Sequence, residues 1–474
     1  MTLPVDLVVH GHFYQPPRED PWTGEVPEHP DAVPFRDWNE RITAEAYRPI
    51  AERGTFEHLS FNVGPTLLSW LQRHAADVYE RILDADRRTG RAIAQAYGHA
   101  ILPLCNDRDR RTHVRWGVLD FVHRFGRRPH GMWLPETAVD DATLAVLAEE
   151  GIGFTIVAPG QIEATRPLLE DGDWVHHRDP AEPPTDRPLR WHHPDGTGRH
   201  VDLVVYDGAL SHALAFEAPP AEGIVAAALA RGGERGGLVA AATDGETFGH
   251  HHRGADEVLH QALTEVAPAL GVRVPSLVDL LDARPPTHAA QVRLSAWSCA
   301  HGVDRWQADC GCHTGGDPDE QQAWRAPLRA GLDVLRDWGA EVFERRGADL
   351  LKDPWAARDA YLGLLLGVWS WEEFVDQHIT GDGHQAGVLL DSQRNALLMY
   401  TSCGWFFHDL AGIETVQILR YAARLVDLCA QLGEPAPVDD VLDVLAQARS
   451  NDPAVGTGAD LFRRLLPASS GMRT

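Results

Sequence analysis

The sequence predicts an α/β fold in two parts, a parallel barrel followed by a helical domain. Through the first part of the 474-residue chain, short apolar runs alternate with segments of helical apolar spacing. After about residue 285 this alternation stops and long helical patterns follow. Strand, helix and next strand connect by right-handed crossovers, so repeated alternation builds one parallel sheet. Seven runs favour a (β/α)7 incomplete TIM-like barrel over 1–285 and an all-helical C-terminal domain over 286–474.

Seven short apolar runs are predicted as buried strands of the barrel. They cover residues 7–13, 58–64, 92–99, 130–136, 153–159, 201–207 and 238–246. The segments between them, such as 67–88 and 141–152, show helical apolar spacing and often end at glycine. Residues from about 165 to 200 are rich in Pro, Asp and His without periodicity, which predicts an insertion between two strands.

Four long helical patterns are predicted to form the C-terminal domain. They lie at 323–346, 353–375, 392–407 and 412–433. The loop at 295–313, which precedes them, is rich in Trp, His and Cys. We expect this loop to cap a cleft at the barrel.

Composition excludes several functional classes. The chain has 43 Lys and Arg against 69 Asp and Glu, a net charge of −26 that repels phosphate backbones, so nucleic acid is not an expected partner. Its one lysine, Lys352, makes Schiff-base chemistry improbable. No apolar run reaches the roughly 18 residues that span a bilayer and the start lacks a basic leader pattern, so we expect a cytoplasmic protein without membrane contact.

Polar side chains end four of the predicted strands, where parallel barrels place their active sites. They are His10 and His12 on the first strand, His99 on the third, Glu136 on the fourth, and Asp244 and Glu246 on the seventh. Two carboxylates facing one mouth are the minimum equipment for glycoside hydrolysis. Trp133 and Phe248 lie beside them and offer flat apolar faces for sugar rings. Ion pairing of each carboxylate with an arginine is an equally good interpretation of these positions.

Four segments, in this order, resemble the signature regions of glycoside hydrolase family 57. They are HGHFYQPP (10–17), YGHAILPL (97–104), MWLPETAVD (132–140) and TDGETFGHHH (243–252). That family acts on α-glucans with a (β/α)7 barrel and a helical C-terminal region. The C-terminal half of this chain resembles the helical domain, of poorly known function, in a bacterial branch of the family.

The resemblance implies a role for each matched residue. Glu136 would be the nucleophile and Asp244 the general acid/base of a retaining mechanism. His10, His12 and His99 would line the donor subsite, and Glu246 would orient its neighbours. The second His and the Gln of the first motif are separated by two residues where many members have HxHQP, and a triple His follows Gly249. These departures concern the substrate more than the reaction.

Three residues of the 295–313 loop and one residue beyond it are candidates for substrate contact. Trp297, His301 and Arg305 are predicted to make acceptor-side contacts, with packing at a domain junction as the alternative. Trp405 lies in a loose match to the family's fifth signature region. Hydrolysis, glucan transfer and branching all stay open, because they differ in the acceptor. The expected partner is an α-glucan or a maltooligosaccharide, and no oligomeric state is predicted.

Two other functions compete with this one. A metal-dependent deacetylase or α-mannosidase-like enzyme would use His10, His12, Asp244 and one of residues 250–252 as ligands. A non-catalytic carbohydrate-binding protein would keep the barrel without turnover. Cys299, Cys310 and Cys312 could bind zinc, but their spacing is uncommon, so a reduced, packed cluster is the favoured interpretation and no cofactor is predicted.

Overall fold

The computed structural model describes residues 4–169, 172–178, 183–235 and 237–466. These form eleven strands: β1 (Asp6–Phe13), β2 (Ser60–Val63), β3 (Ala94–Gln95), β4 (Met132–Trp133), β5 (Phe154–Val157), β6 (Ile162–Pro167), β7 (Val175–His176), β8 (Leu189–His192), β9 (His200–Val205), β10 (Leu238–Asp244) and β11 (His288–Val292).

Seven of these strands close into the predicted parallel barrel. Parallel pairing joins β10 to β1 and β1 to β2, and it also joins β3 to β4 and β5 to β9. Single parallel bridges connect these groups, from Phe61 to Ala92 and from Gly131 to Phe154. The circle closes where the backbone N–H of Asp207, after β9, donates to the Ala240 carbonyl of β10 at 2.7 Å. The predicted fold class is confirmed.

The remaining four strands extend the sheet that begins with barrel strands β5 and β9. The order is β5-β9-β8-β11-β6-β7, with β8 antiparallel to β9 and β11 antiparallel to β6. The insertion predicted at about 165 to 200 therefore contains strands, although 170–171 and 179–182 of it lie outside the described residues. Hydrophobic periodicity does not reveal such strands, because they are short and partly exposed.

Apolar side chains from neighbouring barrel strands pack into one buried cluster. Val8, Ile156, Val204 and Ala240 belong to it, together with Leu277 from the last helix of this part of the chain. Parallel strands buried on both faces carry continuous apolar runs, which explains why the sequence pattern locates them well.

The chain divides into two compact units whose boundaries differ from the predicted ones. The first unit comprises Met1–Gln15, Glu28–Tyr97 and Arg124–Trp297. The second comprises Pro16–Pro27, Gly98–His123 and Ser298–Thr474. The predicted domains, 1–285 and 286–474, are two consecutive pieces and differ from this partition.

Specific contacts explain the difference. Strand β11 pairs with β6, which keeps the chain beyond 285 in the first unit. In the second unit, buried Arg358 donates to buried Asp109 at 2.6 Å, and Gln417 Nε2 donates to the Glu19 carbonyl at 2.8 Å. These bonds attach two early segments to C-terminal helices.

The α-helices up to residue 283 lie between the strands or follow the last barrel strand. They are α1 (Trp38–Ile42), α2 (Arg48–Glu52), α3 (Pro65–His74), α4 (Ala76–Thr89), α5 (Asp107–Phe125), α6 (Asp141–Glu149), α7 (Gly208–His212), α8 (Ala221–Arg235), α9 (Ala255–Gln261), α10 (Ala267–Ala269) and α11 (Leu277–Ala283).

The later α-helices follow the four predicted patterns and add two more. They are α12 (Arg325–Leu350), α13 (Pro354–Leu365), α14 (Trp371–His378), α15 (Gly383–Leu398), α16 (Cys403–Phe406), α17 (Ile413–Gln431), α18 (Val438–Leu445) and α19 (Gly458–Leu465). The pattern at 353–375 splits in two because Gly367 has a φ of 72° and Ser370 caps α14 through a capping box. Among the described residues, no helix is long and apolar enough to cross a membrane.

Asp6 anchors the start of the barrel to the residues that follow its last strand. Its buried carboxylate accepts two hydrogen bonds from Arg273, at 2.7 and 2.8 Å, and one from Arg284 at 2.7 Å. Bidentate arginine–carboxylate pairs are among the stronger polar contacts of proteins.

Replacing Asp6 by Ala should therefore lower the free energy of unfolding by about 1–3 kcal/mol, because two guanidinium groups lose their acceptor. Chemical denaturation followed by circular dichroism measures this loss. Asp84→Ala is the matched control: it removes an exposed partner of Arg87 and should cost less than about 1 kcal/mol. Equal losses in the two variants would contradict the anchoring role.

Candidate active site

Glu136 follows β4 in a tight turn with a strained backbone. Its φ is 58° and that of Thr137 is 48°, in the left-handed region that residues with a Cβ seldom adopt. The turn is held by the backbone N–H of Trp297, which donates to the Glu136 carbonyl at 3.0 Å, and by Gln161 Nε2, which donates to the Thr137 carbonyl at 2.7 Å. Such strain persists only where surrounding bonds over-determine it, and it concentrates at functional sites.

The Glu136 carboxylate is half-buried and receives a hydrogen bond from an indole. Trp297 Nε1 donates to Glu136 Oε2 at 3.0 Å. Trp297 is itself half-exposed, and its ring packs edge-on against Trp133 with the ring centroids 5.0 Å apart. An N–H donor to a carboxylate stabilises the charged form.

Asp244 is the last residue of β10, where it lies beside β1. In the parallel register, Asp244 pairs with His12, and its side chain is half-buried. The next residue must be small: a Cβ on Gly245 would lie 2.3 Å from the Phe13 ring. The turn that follows Asp244 is thus packed directly against β1. This packing holds the end of β10 next to the end of β1.

Two neighbouring carboxylates act on Asp244. Burial raises its pKa well above the usual value for aspartate, and the charges of Glu246 and then Glu136 raise the pKa further. The effect of Glu136 requires the two predicted catalytic carboxyl groups to lie within electrostatic range of each other. Asp244 therefore keeps its proton at a pH where ordinary aspartates have lost theirs.

Glu246 is buried and is held by hydrogen bonds. Its Oε1 accepts from the backbone N–H of Tyr14 at 3.2 Å and from the Tyr47 hydroxyl. Burial raises the pKa of Glu246 to about 7, and these hydrogen bonds limit the rise. Gln15 donates to the Tyr47 oxygen at 3.2 Å, so residues of the first motif orient this carboxylate.

His10 and His12 belong to one buried hydrogen-bond network centred on Asn62. Asn62 Oδ1 accepts from His10 Nε2 at 3.0 Å, which makes His10 Nδ1 the acceptor for Ser60 Oγ at 3.0 Å. Asn62 Nδ2 donates to His12 Nδ1 at 2.9 Å and to Gln95 Oε1 at 2.8 Å.

Burial lowers the pKa of each of these two histidines to about 3, so both imidazoles are neutral. A neutral imidazole has one donor and one acceptor nitrogen, so it can donate a hydrogen bond to a hydroxyl group or accept one from it.

The two aromatic residues predicted as sugar platforms are buried. Trp133 has no exposed surface and stacks on the imidazoles of His10 and His12, with both centroid distances 4.9 Å. Phe248 is also buried. Trp133 therefore supports the histidines, and the half-exposed ring beside Glu136 belongs to Trp297.

The remaining predicted site residues belong to the second unit. His99 is buried there, and its Nδ1 lies 2.7 Å from Ser402 Oγ. Arg305 donates to the carbonyls of Phe406 and Ser298, at 3.1 and 2.7 Å. All of these contacts are made within the second unit and none involves Glu136 or Asp244. A contact of His99 or Arg305 with substrate therefore stays a prediction.

Trp405 and His301 have other surroundings in the same unit. Trp405 has no exposed surface, and its Nε1 donates to the Arg325 carbonyl at 3.3 Å, an arrangement typical of a core residue. His301 is exposed and lies beside Cys312. For these two residues as well, a contact with substrate stays a prediction.

The histidines proposed as metal ligands are engaged in other contacts. Both ring nitrogens of His10 are hydrogen-bonded, His250 contacts Glu45, and His252 Nε2 donates to the Ala215 carbonyl at 2.8 Å. Among the described residues, the one group of side chains with metal-ligand spacing contains none of these histidines. These histidines are therefore held by hydrogen bonds to other protein groups.

Asn62, Tyr47 and Gln161 were not identified from the sequence. Asn62 could have been found, because Ser60 and Asn62 are polar residues two positions apart inside an otherwise apolar strand. Tyr47 and Gln161 lie in a helix-rich segment and a loop, where no periodicity marks them.

Comparisons with known proteins agree with the barrel fold and identify the family. The family model described as Glycosyl hydrolase family 57 matches residues 35–274, more than half of the chain. A second model, described as a domain of unknown function (DUF3536), matches residues 321–472.

A curated relative, alpha-amylase 1 of Dictyoglomus thermophilum, is 26% identical over 123 residues. The alignment covers 25% of this chain and 18% of that protein, so the chain spans less than a fifth of the relative's length.

Solved structures share the fold. An exo-type maltose-forming amylase from Pyrococcus sp. ST04 superposes with a TM-score of 0.73 at 14% identity, over 93% of this chain and 82% of that one. A GH57-type branching enzyme from Pyrococcus horikoshii gives a TM-score of 0.60 at 15% identity, over 100% and 98% of the two chains.

Proposed function

Since the chain belongs to glycosyl hydrolase family 57, we propose that it is a retaining enzyme that cleaves or rearranges α-linked glucans. Glu136 is the nucleophile and Asp244 the general acid/base. The observation that carries this proposal is the placement of Glu136, after β4, and Asp244, at the end of β10, near enough for their charges to interact, with Glu136 hydrogen-bonded by Trp297.

The two carboxyl groups suit two different tasks. An acid catalyst must hold its proton when substrate binds, and the surroundings of Asp244 favour its protonated form. A nucleophile must be anionic, and the indole N–H of Trp297 stabilises a charge on Glu136. Two neighbouring acids whose surroundings favour opposite protonation states are commonly assigned as acid and nucleophile on that basis.

The first step forms a covalent glycosyl-enzyme. A Glu136 oxygen attacks the anomeric carbon while Asp244 gives its proton to the departing glycosidic oxygen. The ester that results carries no charge, so one of the groups that raise the pKa of Asp244 disappears. Asp244, now more acidic, can then act as the base in the second step.

The second step decides between hydrolysis and transfer. Asp244 removes a proton from a hydroxyl group of water or of another glucan chain. The hydroxyl oxygen bonds to the anomeric carbon while the ester bond to Glu136 breaks and restores its carboxylate. The likeness to a maltose-forming amylase and to a branching enzyme includes both outcomes. We propose an α-glucan as donor in either case.

The buried networks around this pair act as positioning groups. Glu246, held by Tyr14 and Tyr47, contributes negative charge that keeps Asp244 protonated. His12 lies in register with Asp244 and is neutral, so it suits hydrogen bonding to a sugar hydroxyl. Asn62 fixes the orientation of both histidines.

Replacing Asp244 by Asn should reduce kcat/KM on amylose by about 10²–10⁴-fold, because the leaving oxygen loses its proton donor. An aryl glycoside with an acidic phenol needs little protonation and should lose far less in its first step. Steady-state and burst kinetics on both substrates measure the difference.

Asp282→Asn, an exposed change of the same chemistry in α11, serves as the control for this experiment. Equal losses on the two substrates would argue against Asp244 as the acid.

Glu246→Gln should move the alkaline limb of the pH profile of kcat/KM to lower pH. Activity needs protonated Asp244 and falls as pH rises through its pKa. Loss of the Glu246 charge lowers that pKa, while glutamine still accepts from Tyr14 and Tyr47.

Glu265→Gln, an exposed change after α9, should leave the profile unchanged. An unmoved alkaline limb in Glu246→Gln would mean that Glu246 does not influence the acid.

The proposed activity is tested by incubating the protein with maltoheptaose and amylose and separating the products by size. Longer oligomers indicate transfer, shorter ones alone indicate hydrolysis, and new branch points indicate a branching enzyme. Glu136→Gln should abolish all products. Binding of maltoheptaose without any product in the unmodified protein would overturn the proposal and favour a carbohydrate-binding protein.

A further inference from the structure

Four side chains between residues 299 and 312 converge in the second unit. Their ligand atoms, the sulfurs of Cys299, Cys310 and Cys312 and a ring nitrogen of His301, all lie within 4.8 Å of one another. The sulfurs of Cys299 and Cys310 are 4.0 Å apart, and the Cys312 sulfur is 3.5 Å from His301 Nδ1.

These separations match the edges of a tetrahedral zinc site. With Zn–S bonds of about 2.3 Å and Zn–N bonds of about 2.0–2.1 Å, a tetrahedron has S–S edges of about 3.8 Å and S–N edges of about 3.5 Å. A disulfide needs a sulfur separation of about 2.05 Å, and all three cysteines are free. The cluster therefore has the dimensions of a metal site rather than of a disulfide.

The backbone of the loop is arranged to hold thiolates. Gly311, between two of the cysteines, has a φ of 77° and allows a sharp turn. The backbone N–H groups of Cys312 and Ala300 lie near the sulfurs of Cys310 and Cys312, respectively, where they favour the thiolate forms. Donors of this kind orient sulfur ligands around a metal ion.

Two arginines fix the loop from outside the cluster. Arg325, which begins α12, donates to the Cys312 carbonyl at 2.8 Å, and its Nη1 lies 4.0 Å from the Cys310 sulfur. Arg305 donates to the Ser298 carbonyl and to Thr314 Oγ1, both at 2.7 Å, and so joins the two ends of the loop.

We propose that Cys299, His301, Cys310 and Cys312 bind one Zn²⁺ ion as a structural Cys₃His site. Each thiol gives up its proton to solvent when its sulfur binds the metal, and His301 binds as the neutral imidazole. Three thiolates and Zn²⁺ leave one net negative charge, which the guanidinium of Arg325 faces. Four protein ligands complete the tetrahedron, so no position stays open for catalysis.

The ligand set also selects the metal. Sulfur and imidazole ligands favour zinc over Mg²⁺ and Ca²⁺, which prefer oxygen. The Cys-x-His spacing is uncommon among zinc fingers, but it is compatible with this site. The chain folds back between His301 and Cys310, which brings the later cysteines to the earlier ligands. The ion would connect residue 299 to residue 312 and hold the loop before α12.

The test uses the full-length chain, purified in reducing buffer, incubated with ZnSO₄ and freed of loose metal by gel filtration. Elemental analysis should find about one zinc per chain. Co²⁺ in place of zinc should give thiolate charge-transfer absorption and the intense visible bands of a tetrahedral ion. A chain that retains no zinc and no such Co²⁺ spectrum would overturn the proposal.

Variants separate this site from other thiols. His301→Ala changes an exposed side chain, so it should fold and yet lose zinc affinity at least about 10-fold. Cys310→Ser with Cys312→Ser should lose bound zinc altogether. Cys105→Ser is the matched control, since serine can keep the hydrogen bond of Cys105 to the Ile101 carbonyl. Unchanged zinc content in every variant would place the metal elsewhere.

The alternative to zinc binding is oxidation of the cysteines in this loop to a disulfide. Mass spectrometry after alkylation should find three modified cysteines from this loop in the metal-free, reduced protein and protection of all three in the zinc form. A disulfide within the loop of freshly purified protein, with no zinc, would overturn the proposal. These measurements do not depend on glucan turnover, so they stand whether or not the proposed enzymatic activity is found.

Discussion

The electrostatic influence of neighbouring carboxylates on Asp244 is the constraint on which the proposed chemistry of the barrel depends. A charge on this half-buried aspartate is opposed by burial, by Glu246 and by Glu136. Bringing these acids together costs free energy, because buried like charges repel each other. Protonation of some of the carboxyl groups reduces that cost. Neutral histidines and hydrogen-bond donors around the group add no positive charge that would release the proton from Asp244.

Structural support for this arrangement comes from four strands. Strand β4 delivers Glu136 through a left-handed turn, β10 ends at Asp244, and β1 contributes the histidines that Asn62 of β2 orients. A glycine is required where the turn after β10 meets Phe13. The catalytic assignment therefore rests on backbone geometry as much as on the identity of the acids.

The barrel could be predicted because buried parallel strands leave strong local signals, and the positions of Glu136 and Asp244 at strand ends followed from the same pattern. Strands β6 to β8 could not, since short, partly exposed strands lack periodicity. The burial of Trp133 could not be predicted from the sequence pattern either, because only the folded chain shows that two imidazoles cover its face. Likewise, the approach of Cys299 to Cys310 depends on a loop turn that residue spacing does not reveal.

The interleaved division of the chain has a consequence for folding. Residues 16–27 and 98–123 emerge early during synthesis, yet their unit is completed by segments beyond residue 298. A buried pair such as Asp109 and Arg358 can form only when both are present. Long-range closure of this kind slows folding and leaves early segments exposed in the meantime. Each unit consists of three separate segments, so no single cut in the chain yields a complete unit. Separate expression of the two units would require new linkers between their segments.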